Sequence, residues 1–190
     1  MRKLVVAAVA AAALAAAPAA FGHASISPAV AKAKTLQYFT LAVPTEKEGA
    51  TTTKIELTPP AGFGIDSFEP APGWKRDVQS SGSGEEATIQ KVTWSGGKTP
   101  TEEDSVFHFV ASPDSSKTYK FTVRQTYSDG SVVNWSGPES SDTPAPVVKA
   151  MSSFGGGGSS TLAIVAVAVA AVALLLAVGG LLARGGRPLT

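Results

Sequence analysis

Between residues 23 and 150 no apolar repeat of helical spacing is sustained. Apolar and polar residues instead alternate in short runs bounded by Gly, Pro, Asn or Asp, the pattern of strands with one buried face. Thr35–Val43 is rich in β-branched and aromatic residues, and Thr53–Leu57 alternates Thr, Ile and Leu with other residues. Ala87–Trp94 sets Ile89 out of phase with Val92 and Trp94, which predicts a bulge or register break. Val106–Ala111 and Thr118–Thr126 are the clearest strands. In the second, Tyr119, Phe121 and Val123 share one face, and Lys120, Thr122 and Arg124 the other. Ser128-Asp129-Gly130 predicts a hairpin turn into Ser131–Trp135, while Pro59-Pro60 and Pro70–Gly73 break the chain. Eight or so short strands at this spacing predict an all-β domain, an antiparallel β-sandwich of fibronectin/immunoglobulin type.

The two ends follow different patterns. Met1-Arg2-Lys3, an apolar run to Ala20 and then Phe21-Gly22-His23 predict a secretory signal over residues 1–22, cut before His23. Cuts after Ala19 or Ala24 also suit the small-residue rule. Leu162–Leu182 carries no charge; at about 1.5 Å per residue it would span roughly the 30 Å of a bilayer core. Arg184 and Arg187 follow, and the positive-inside rule sets them in the cytoplasm. The predicted organisation is a signal (1–22), a β-sandwich domain (23–143), a Pro/Gly/Ser-rich linker (144–161), a transmembrane helix (162–182) and a short tail (183–190). The location expected is the cell membrane, crossed once, with the domain on the extracellular face.

Twelve of the 16 basic residues and all 15 acids lie in the middle segment, a balance of about −3. That argues against a nucleic-acid partner, which needs a concentrated basic face. The absence of cysteine excludes disulfides, iron–sulfur clusters and thiol nucleophiles. No phosphate loop or Ser–His–Asp arrangement is evident, and Glu102-Glu103-Asp104 lacks the spacing of a calcium loop. The two histidines are His23 and His108. Cleavage before His23 would give one residue both a free α-amine and an imidazole Nδ1, a chelating pair suited to copper(II). The alternative is a frayed terminal residue. His108, in Val106-Phe107-His108-Phe109-Val110, is read as a structural histidine in an inner strand.

The segment His23-Ala24-Ser25-Ile26-Ser27-Pro28 resembles the start of the YcnI-like domains of exported bacterial proteins. The resemblance continues through Phe39–Lys47, Thr52–Leu57, Gly73-Trp74, Ile89–Gly97 and Gln125–Gly130 into Asn134-Trp135. It implies a β-sandwich that binds copper(II) through a single-histidine brace. His23 would supply amine and imidazole, Glu46 a carboxylate ligand, and Trp135 would lie beside the metal. Glu48 is a nearby acid that stands as an alternative or additional carboxylate to Glu46. The role implied is copper homeostasis or delivery without catalysis, with the copper ion, the membrane and a copper-transport or copper-chaperone protein as partners. Two alternatives stand beside it: a copper-dependent redox enzyme with a two-histidine brace that enlists His108, and a metal-free adhesive module.

Overall fold

The computed structural model describes residues 22–84, 87–154, 165–171, 173 and 174. The chain divides into two units, Met1–Ser152 and Ser153–Thr190. Among the described residues the first unit holds twelve strands. They are β1 (Ser25–Ser27), β2 (Val30–Lys32), β3 (Gln37–Pro44), β4 (Thr52–Thr58), β5 (Phe63–Phe68) and β6 (Lys75–Ser81), followed by β7 (Thr88–Thr99), β8 (Asp104–Pro113), β9 (Thr118–Lys120), β10 (Thr122–Tyr127), β11 (Val132–Trp135) and β12 (Val147–Met151).

One sheet runs β1-β3-β8-β5 and a second β11-β10-β4-β7-β6, with a small third sheet β2-β12-β9. All pairings are antiparallel except β12 with β2. The expected all-β antiparallel sandwich is the observed fold. Its core is the alternate residues of facing strands: Phe39, Leu41 and Val43 of β3, Ile55 and Leu57 of β4, Phe107 and Phe109 of β8. Aromatic rings knit these layers. Phe63 meets Phe39 edge-on at 5.1 Å and Phe121 at 4.7 Å, and Trp94 stacks on Phe107 at 4.2 Å. Each such ring removed from water contributes about 1.5–3 kcal/mol.

Local chemistry explains the details. The phase break expected near Ile89 is a register shift, with Gln79 opposite Lys91 but Ser80 opposite Ile89. The β10–β11 hairpin closes with the Gly130 amide donating to the Tyr127 carbonyl at 3.0 Å, and Gly130 takes φ +83°, open to glycine at little cost. The strand read as continuous over 118–126 is two. The Phe121 amide leaves the ladder to donate to the Pro146 carbonyl at 2.9 Å, so β9 pairs with β12 and β10 with β4. The inward alternation nevertheless runs unbroken through Tyr119, Phe121 and Val123. Part of the expected linker belongs to the fold: β12 packs between β2 and β9, with Val148 fully buried.

Residues 165–171, 173 and 174 are helical. No helix among the described residues is long and apolar enough to cross a membrane. The signal expected over 1–22, apart from Gly22, and most of the span expected over 162–182 lie outside the described residues.

Candidate metal centre

His23 continues β1 backward toward the end of β3. Ser25 pairs with Ala42 and Ile26 with Leu41; the same register sets His23 opposite Pro44. Alternation holds here too, with Ala24 buried and His23 exposed. The approach is close, for a Cβ built on Gly22 would lie 3.1 Å from the Cβ of Pro44. His23 also rims a groove of about 440 Å³, whose walls include Ile26, Lys120, Glu139 and Pro146.

Glu46 follows two residues after Pro44, where β3 has ended. The turn is fixed from several sides. The Thr45 amide donates to the Glu103 carbonyl, and the Glu102 amide to the Thr45 carbonyl, each at 3.0 Å. Thr101 Oγ1 donates to the Lys47 carbonyl at 2.8 Å. The Lys47 ammonium pairs with Asp129 and donates to Ser131 Oγ at 2.8 Å, binding the turn to the β10–β11 hairpin tip.

Glu46 Oε1 is buried and makes no hydrogen bond. Burial pushes the Glu46 carboxyl above the usual carboxylate range, and the charge of His23 pulls it partly back. A buried carboxylate oxygen without a donor is costly. The charge that offsets this burial is that of His23, another candidate donor. His23 and Glu46 thus lie close enough for their charges to interact, and an imidazole nitrogen and a carboxylate oxygen are donors suited to a borderline divalent transition metal.

Trp135 is fully buried. Its indole Nε1–H donates to Gln125 Oε1 at 3.0 Å, and Gln125 Nε2 donates to the Pro44 carbonyl at 2.8 Å. Trp135 is thereby joined to the strand end that carries Glu46. Tyr127, also buried, lies near Glu46 and Lys47, and burial raises its pKa. Glu48 is exposed in the turn beyond Glu46.

His108 differs from its sequence reading. It shares a face with Val106, as alternation requires, but that face is the outer one, since Phe107 and Phe109 fill the core. His108 Nδ1 lies 3.0 Å from Thr40 Oγ1 on the exposed side of the sheet. Thr40 is four positions from Pro44 along β3, roughly 13 Å at strand rise. Among the described residues no group of three or more His, Asp or Glu side chains could hold a metal.

Sequence reasoning passed over Gln125, Thr52 and Thr45, all buried polar residues. A signal was present: extending the Tyr119, Phe121, Val123 phase puts Gln125 among core positions, where an amide needs partners.

A family model described as a domain of unknown function, DUF1775, matches residues 23–150. The chain belongs to this family. The DUF1775 match begins at His23 and takes in all but the last residue of β12. The copper-binding protein CutI of Bacillus subtilis (strain 168) is 34% identical over 137 residues, 70% of this chain. The chain spans 65% of the length of that curated relative. The YcnI-like relationship expected from the sequence is thus established. Among solved structures, an uncharacterized protein from Nocardia farcinica with an immunoglobulin-like fold is 28% identical, with a TM-score of 0.56. The alignment covers 67% of this chain and 97% of that one.

Proposed function

We propose that the mature chain begins at His23 and binds one copper(II) ion there, as an extracytoplasmic copper-handling protein. The observation that carries this reading is the buried, unpartnered Glu46 Oε1, on a carboxyl that feels the charge of His23. A cation bound between them would satisfy that oxygen and offset its charge. The α-amine and imidazole of His23 would supply two nitrogens and Glu46 one oxygen, an N/O set that favours copper(II) among divalent ions. In the unprocessed chain the His23 α-nitrogen is a peptide amide, so the amine donor arises only on cleavage. The copper-binding name of the CutI relative and the start of the family match at His23 support the same reading.

The apolar span 162–182 and the arginines after it support anchoring, with the sandwich on the extracellular face of the cell membrane. Copper would then be held for storage or delivery to a copper-transport or copper-chaperone protein. Turnover with a second histidine finds no support, because His108 pairs with Thr40, four positions or roughly 13 Å along β3 from the Pro44 that faces His23.

Two measurements test the proposal. Mass spectrometry of the exported protein should find His23 at the N-terminus; a start elsewhere contradicts the amine donor. Acetylating that amine blocks one nitrogen and adds no donor, and should weaken copper(II) binding on the order of 100-fold. Equal affinity would remove the brace.

A further inference from the structure

Gln125 is a polar side chain at a fully buried position of β10. Its carboxamide is used at both ends. Oε1 accepts from Trp135 Nε1 at 3.0 Å, while Nε2 donates to the Pro44 carbonyl at 2.8 Å and to Thr52 Oγ1 at 2.7 Å. Both amide hydrogens are therefore spent. The orientation is dictated by the partners. Reversed, the NH₂ group would face the indole N–H and the oxygen would face the Pro44 carbonyl, so both of those groups would lose their partner. Thr52 Oγ1 in turn lies 2.7 Å from the buried Thr45 Oγ1.

One side chain thus ties β11, β10 and β4 to the end of β3, directly at Pro44 and, through the Thr52 hydroxyl, at Thr45. The other flank of Pro44 meets the segment bearing His23, where a Cβ on Gly22 would come within 3.1 Å. Pro44 is held between the two, so the spacing of the His23 strand from the Glu46 turn depends on where Gln125 fixes it.

We propose that Gln125 is a positioning residue for the metal centre: without touching the ion, it sets the Pro44–Glu46 segment against the His23 strand and binds Trp135 into the same frame. This rests on the copper-brace reading. An apolar residue of equal length would fill the core but leave the Pro44 carbonyl, the Thr52 hydroxyl and the indole N–H without Gln125 as partner. The end of β3 would then relax, and the carboxylate would no longer meet the metal in one geometry.

The test uses the mature chain from His23 loaded with copper(II). Gln125→Met should retain the strand signature in circular dichroism. It should bind copper(II) about 10- to 100-fold more weakly, and its electron paramagnetic resonance spectrum should depart from the single species of the parent. A merely structural role would lower the melting temperature of the metal-free protein and leave the spectrum and affinity of the folded protein unchanged; that result overturns the proposal. Should Gln125→Met not fold, Thr52→Val decides, since it keeps the side-chain shape and deletes one acceptor: a shifted spectrum supports the proposal and an unchanged one overturns it. Acetylation of His23 and Glu46→Gln separate the two ideas. If neither alters the parent spectrum, the brace fails and the positioning role with it. If they do and the Gln125 and Thr52 variants do not, the positioning role alone fails.

Discussion

Two glutamates show how differently this sandwich treats a carboxylate. Glu56 sits on β4 among cations: Arg124 Nη1 donates to its Oε2 and Lys91 Nζ to its Oε1, each at 2.7 Å, with Lys54 at 3.7 Å. The hydrogen bond from Lys91, with help from Arg124, lowers its pKa to about 2 against the cost of burial. Its ionised form is favoured by folding, so its contribution is present above the unfolded value near 4.5 and lost as pH falls toward about 2. Glu56→Gln should cost about 1–3 kcal/mol at neutral pH, allowing for half-exposed partners, and little at about pH 2; denaturant titrations at the two pH values check this. Glu46 is the reverse case. Burial raises its pKa, so the folded chain holds a proton that the unfolded chain releases sooner. Stability therefore falls as pH rises through its folded pKa. Glu46→Gln should leave the metal-free protein at least as stable at neutral pH, while weakening copper(II) binding about 10- to 100-fold. Acidification should weaken binding from above the usual carboxylate range downward, as protons compete for Glu46.

Strands and turns account for what could be read in advance. Where alternation was clean and its apolar face plain, as in Tyr119, Phe121 and Val123, the buried face followed directly, because a side chain's sheet face depends on its parity. β6 has no buried residue, so it carries no alternation to read; β1, β2 and β12 are too short to show one. Their existence depends on partners remote in sequence, such as Lys149 opposite Val30. His108 shows the limit of parity. The period groups it with Val106 and Val110 but cannot say which group turns inward, and the larger phenylalanines took the core. Some contacts are invisible without coordinates. A Cβ on Gly97 of β7 would lie 2.1 Å from the Trp74 ring, and Trp74 packs edge-on against Phe107 at 5.1 Å. Gly97→Ala should displace Trp74 and destabilise the fold by about 1–3 kcal/mol, seen as a lowered melting temperature and altered tryptophan emission.

Taken together, the sandwich brings the residues from His23 onward against the end of β3, with Gln125 linking that end to Trp135. The candidate donors were legible because His23 and Glu46 carried the family resemblance. The frame that holds them was not, since Gln125, Thr45 and Thr52 acquire meaning only when β3, β4, β10 and β11 converge. Copper(II) should quench Trp135 more than Trp74 or Trp94, and Trp135→Phe should remove most of the fluorescence change; persistence of the full change would move the metal elsewhere. The most direct measurement is the electron paramagnetic resonance spectrum of the copper(II)-loaded chain starting at His23, resolved for nitrogen coupling. The account predicts coupling to an amine and an imidazole nitrogen in the free-amine protein, and loss of the amine coupling once that terminus is acetylated. A spectrum indifferent to acetylation would contradict it.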